Sequence, residues 1–221
     1  MGATNGGHPA ATAKAPALDL RALLLHVAWL SILLGLTMEV ILLVLAAAFG
    51  EGTTARSFAV KLVQQIAWSF FVCTGLAVGL AVAKTGIPAG KFTGFFIAPA
   101  AFAVARTLHK SVAQALAIAS AVPATPSPFL LAAVKGIEYG ILGLAIARIQ
   151  KWEHGRISHY VATGFLVGLV FGGFVLVLIL QTAEGMSAID LFTRGVNELV
   201  FPVGCSVVVY AAEALGRRAA R

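Results

Sequence analysis

The sequence predicts an all-α polytopic membrane protein, a bundle of about six transmembrane helices. Composition is the first sign: 59% of residues are hydrophobic and 11% charged, against about 45–50% and 25% in soluble domains. The second is a series of apolar runs along the whole chain, most long enough to cross a hydrocarbon core about 30 Å thick. The third is the placing of Lys and Arg, which collect on alternate connections between those runs.

Residues 1–20 read as a flexible tail, because Met1–Ala17 is Gly, Ala, Thr and Pro with one lysine. The run near 22–49 follows Lys14 and Arg21 and is too long for a signal-peptide core of about 7–15 residues, so it is expected to be the first span. A second span near 58–83 stops at the breaker cluster Lys84-Thr85-Gly86-Ile87-Pro88. The third, near 91–108, runs from Lys91 into Arg106, His109 and Lys110. Polarity falls again over Ser111–Val122, which fits either a helix that overshoots the membrane or an amphipathic segment along its surface. Ala121–Pro128 holds three prolines and reads as a loop. The remaining spans are expected near 129–148, 159–180 and 191–215, the last with a mild kink at Pro202-Val203-Gly204. Residues 21–221 thus form a single transmembrane domain.

Orientation follows from the bases. Lys14, Arg21, Lys84, Lys91, Arg148, Lys151, Arg156, Arg217, Arg218 and Arg221 fall on one side of six spans. The connections Gly50–Thr54, Ala121–Ser127 and Ala183–Asp190 carry no Lys or Arg. Both termini are therefore expected in the cytoplasm, and the chain in a bacterial inner membrane. The net charge of +7 is largely a topology signal, so no nucleic-acid partner is needed.

The even-numbered spans open with related tetrads: Lys61-Leu62-Val63-Gln64, Lys135-Gly136-Ile137-Glu138 and Arg194-Gly195-Val196-Asn197. They point to three pseudo-repeated helical hairpins, a plan common in membrane transporters. At 1.5 Å per residue, Glu138 lies about 15 Å from Arg148 and Lys135 about 20 Å, both inside the hydrocarbon. Lys61, Gln64, Gln65, Glu39, Arg106, Arg194, Asn197 and Glu198 fall in the outer part of the bundle.

Lys135, Glu138 and Tyr139 form the leading candidate site. A charge near the bilayer centre costs at least about 2.5–3.5 kcal/mol, so it faces protein or a water-filled cavity. Lys135 and Glu138 share one helical face. They are either an internal ion pair, with the tyrosine hydroxyl bonded nearby, or a ligand or proton site. Glu39 is expected as a counter-ion for Arg106 or Lys110, and a carboxylate at Glu198 suits the start of its helix. Gly164, Gly168 and Gly172 recur every four residues and make a flat packing face. Trp152, His159 and Tyr160 read as interfacial anchors, and His26, Cys73 and Cys205 as core residues.

No Walker loop, metal-ligand pair or GxSxG elbow is present, so no cofactor, metal or catalytic residue is expected. No motif is specific enough to name a family. The first functional expectation is a transporter or channel subunit for a small solute or ion, with an anionic solute weakly preferred from the basic excess in the outer layer. The second is a non-catalytic subunit that uses the Gly-rich fifth helix to form an oligomer or to join a membrane complex. A lipid-modifying enzyme stands a distant third.

Overall fold

The computed structural model describes residues 20–50, 52–85, 87, 90, 92–116, 126–152, 155–182 and 186–219. Most of the expected tail, the start of the third span at Lys91, and parts of the proline loop and the Ala183–Ser187 turn lie outside the described residues. Among the described residues every regular element is helical: α1 Leu20–Ala48, α2 Ala55–Lys84, α3 Thr93–Ala115, α4 Pro128–Ile149, α5 Ile157–Val167, α6 Gly173–Thr182 and α7 Ala188–Ala219. Between α5 and α6 the chain stays helical through one π-turn, Gly168–Gly172, so residues 157–182 form one rod.

Local chemistry sets several ends. Gly50 adopts φ 80° after α1, the left-handed conformation that closes a helix at little cost to glycine. The Thr54 hydroxyl caps α2 by accepting from the Ser57 amide at 3.2 Å. Pro128 opens α4, where a missing N–H costs nothing.

Five helical stretches are long and apolar enough to cross a membrane: Arg21–Ala48, Ala55–Lys84, Pro128–Ile149, Ile157–Thr182 and Ala188–Gly216. This is the layout of a multi-pass membrane protein. The polar second half of α3 takes it out of that set. In this region α3 runs unbroken through Arg106, His109 and Lys110 to Ala115. α7 likewise begins before the apolar run and continues past it, because hydrogen bonding does not stop where hydrophobicity does. Pro202 lies inside α7 and removes the donor that would meet the Glu198 carbonyl, yet the helix continues.

α1 packs on α2, α2 on α3, α3 on α4, α4 on α5, and the α5–α6 rod on α7, while α1 also packs on α7. α2, α4 and α7 meet one another inside that ring. Their register is fixed by side-chain contacts. Gln65–Asn197 and Cys73–Cys205 are both separated by 132 residues, and Lys135–Glu198 and Gln150–Glu213 both by 63. Equal separations many residues apart require parallel helices without slip. The three inner helices are therefore parallel and in step.

Between their ends lies a buried core of aromatic rings and thiols. Trp68 of α2, Tyr139 of α4 and Phe201 of α7 pack with ring centroids 5.6–6.3 Å apart. Below them the Cys73 thiol lies 3.2 Å from Cys205, both fully buried and both free thiols. Small residues let the backbones approach, as expected where hydrocarbon supplies no hydrophobic force between helices. A Cβ on Gly35 of α1 would stand 2.7 Å from the Ile66 Cα of α2, and one on Gly164 would stand 2.6 Å from the Val203 Cα of α7.

Candidate functional site

The site is built on the N-terminal halves of the inner helices. α4 contributes Lys135 and Glu138, one turn apart and therefore on one face. α7 contributes Glu198. The Lys135 ammonium donates to Glu138 Oε2 at 2.7 Å and also to Glu198 Oε2, joining α4 to α7. Beside it, the Gln65 amide donates to Asn197 Oδ1 at 3.0 Å and joins α2 to α7.

Burial is nearly complete: Glu138 is 0% exposed and Lys135 8%. Formal charge does not cancel, because one ammonium faces two carboxylates. Glu138 Oε1 and the Tyr139 hydroxyl are buried without a hydrogen-bond partner among the described residues. The expected bond to the tyrosine hydroxyl is therefore absent; Tyr139 meets Lys135 through its ring, 5.8 Å from Nζ to the centroid. That ring also forms the floor of the site with Trp68 and Phe201. An ammonium already held by two carboxylates has little attraction left for an anion. A carboxylate oxygen without a partner can accept a proton or meet a cation.

The outer polar layer read from the sequence divides in two. Lys135, Glu138, Tyr139, Glu198, Gln65 and Asn197 come together. Lys61, Gln64, Arg106, Arg194 and Glu39 do not join them. Lys61 is exposed, and Gln64, Arg106 and Arg194 are half-buried. Glu39 is buried but makes no ion pair with Arg106 or Lys110. The reason is neighbourhood: α1 packs on α2 and α7, whereas α3 packs on α2 and α4, so α2 separates the two helices. Tyr160 is also not an interfacial anchor. It is buried, with its ring 5.1 Å from that of Tyr210.

The glycine face of the fifth rod seats Glu198. A Cβ on Gly168 would lie 2.6 Å from the Leu199 carbonyl oxygen, and one on Gly172 2.9 Å from Glu198 Cβ. Gly173 next to it has open space. Gly172→Leu should therefore lower stability by about 1–3 kcal/mol through overpacking against α7. Gly173→Leu should leave the thermal unfolding midpoint in detergent nearly unchanged, and equal midpoints for the two variants would refute this role.

A second polar group, not anticipated from the sequence, lies at the other end of the inner helices. Glu213 of α7 is 6% exposed and accepts from the Lys84 ammonium at 2.5 Å and from the Gln150 amide at 2.6 Å. A small hollow beside it is lined by Leu23, Ala77, Leu80, Ala81 and Val209 together with Lys84 and Glu213. The available signal was an acid inside the apolar run 191–215. Among the described residues, no three His, Cys, Asp or Glu side chains gather as a metal site would need. Comparison with protein-family models, curated proteins and solved structures gives no match.

Proposed function

We propose that the chain is a transporter or channel subunit for a small solute or ion, with Lys135, Glu138 and Glu198 as its central polar site. One observation carries this reading: a buried lysine shared by two carboxylates, one of which keeps an oxygen without a partner. Intramembrane ionisable groups that are not simply neutralised in pairs are expensive, and their usual role is in ion or proton pathways. The cargo preference moves from an anion toward a proton or small cation, since the bases Lys61, Arg106 and Arg194 stand outside the cluster and the cluster itself holds an excess carboxylate.

The remaining framework is six spans with α3 as the third, both termini cytoplasmic, and a bacterial inner membrane as the location. The in-step inner helices support it, because they bring Lys84 and Arg148 to the same end as the C-terminal bases. They also support three pseudo-repeated hairpins, each giving one inner helix.

The test is proton flux into liposomes carrying the purified protein and an internal pH dye, driven by an imposed potassium potential. Glu138→Gln should abolish flux while the protein stays monodisperse, because Lys135 and Glu198 remain as a neutral pair. Flux equal to the parent's would refute a pathway through this site. The alternative is a non-catalytic assembly subunit, favoured by the same bridge acting as a staple between α4 and α7. An oligomer or complex built on the fifth rod would use its outer face, since the glycine face is covered by α7.

A further inference from the structure

From the Lys84–Gln150–Glu213 group we infer a gate that closes the inner helix trio at the end opposite the central site; the inference rests on the transport reading above. The two ends are built alike. α7 places one acid at each, Glu198 and Glu213, separated by 15 residues or about 22 Å of helix. Each acid is gripped by a lysine from another inner helix, Lys135 of α4 at one end and Lys84 of α2 at the other. Each end also has a glutamine amide that bonds to α7, Gln65 to Asn197 and Gln150 to Glu213. All three inner helices are therefore tied at both levels, with the aromatic core between.

The ends differ in what holds them shut. Lys135 is 10% exposed in its side chain and has nowhere to go, whereas the Lys84 side chain is 42% exposed. Lys84 is the partner with a route to water, and the Gln150 amide stays on Glu213 when the ammonium swings away. Lys84 and Glu213 are themselves part of the lining of the hollow, so swinging Lys84 away widens access to it. The far end is the latch that moves, and the central site is the one that stays closed while it does.

The experiment reads access to the hollow rather than flux. A single cysteine is placed at Ala81, which lines the hollow, leaving the fully buried Cys73 and Cys205 as an unreactive background. A membrane-impermeant maleimide is added to sealed vesicles from either face. Parent protein should label slowly. Glu213→Gln should label about tenfold faster from the face at the C-terminal ends of the trio, a change equivalent to about 1.4 kcal/mol of closing free energy. The charge swap Lys84→Glu with Glu213→Lys should restore slow labelling. Gel filtration of each variant separates gating from misfolding, and the swap tests the pair in a protein that retains both charges. Unchanged labelling in Glu213→Gln, or failure of the swap to restore it, overturns the gate whatever flux does. Latch-dependent labelling without flux in the parent overturns the transport reading and leaves a closure without cargo.

Discussion

Lys135→Met is expected to be the most damaging single substitution at the site, lowering stability by about 3–5 kcal/mol, the cost of leaving a buried charge uncompensated. The volume change is small, so packing is not the cause. Removing the ammonium leaves Glu138 and Glu198 without the cation both of them bind, and Glu138 is 0% exposed. Two carboxylates then face one another on α4 and α7 with only protonation to relieve them. Neutralising all three groups, as Lys135→Met with Glu138→Gln and Glu198→Gln, should recover most of the loss. Chemical or thermal unfolding of the detergent-solubilised protein measures both. A triple variant as unstable as Lys135→Met would show that packing of the lysine stem, and not its charge, holds α4 to α7.

Gly94→Val should come next, with a loss near the upper end of the roughly 1–3 kcal/mol typical of overpacking. Gly94 of α3 faces backbone: a Cβ there would collide with the Tyr139 carbonyl and stand 2.9 Å from the Gly140 amide nitrogen. A backbone cannot rotate aside as a flexible side chain does. The opposing residues add to the constraint, since a Cβ on Gly136 would stand 2.9 Å from Pro99 Cγ and one on Gly140 would enter the Phe95 ring. α3 must therefore retreat from α4, and the displaced segment is the one that carries Glu138 and Tyr139. Flux should fall together with the unfolding midpoint. A stable, fully active Gly94→Val would mean that α3 can shift without disturbing the site.

Most of the fold was legible because a bilayer demands long apolar runs, and runs survive translation into helices. The pair Lys135–Glu138 was legible for a local reason: three residues on one helix fix a shared face whatever the rest of the chain does. Glu198 was visible as a polar residue at the right depth, but not as the second acid on Lys135. Depth along a helix can be counted from a sequence, whereas adjacency among helices cannot. The same gap misplaced Glu39, given to Arg106 or Lys110 on a helix that α2 keeps apart from its own. Glu213 was hidden differently. It stands as an acid inside the apolar run 191–215, and a lone acid in a run does not name its partners, which are Lys84 and Gln150 on neighbouring helices.

Pro202 takes on a particular meaning once both polar ends of α7 are known. It lies between Glu198 and Glu213, and the hydrogen bond it removes belongs to the Glu198 carbonyl. The neighbouring rod carries its π-turn at Gly168–Gly172, where Gly168 and Gly172 press on Leu199 and Glu198. Two helices thus relax their backbone geometry at the same height. A rigid rod would transmit any displacement of Glu213 straight to Glu198. With one backbone hydrogen bond fewer just below Glu198, α7 would bend there more easily than a regular helix, so that one end could swing while the other keeps its grip.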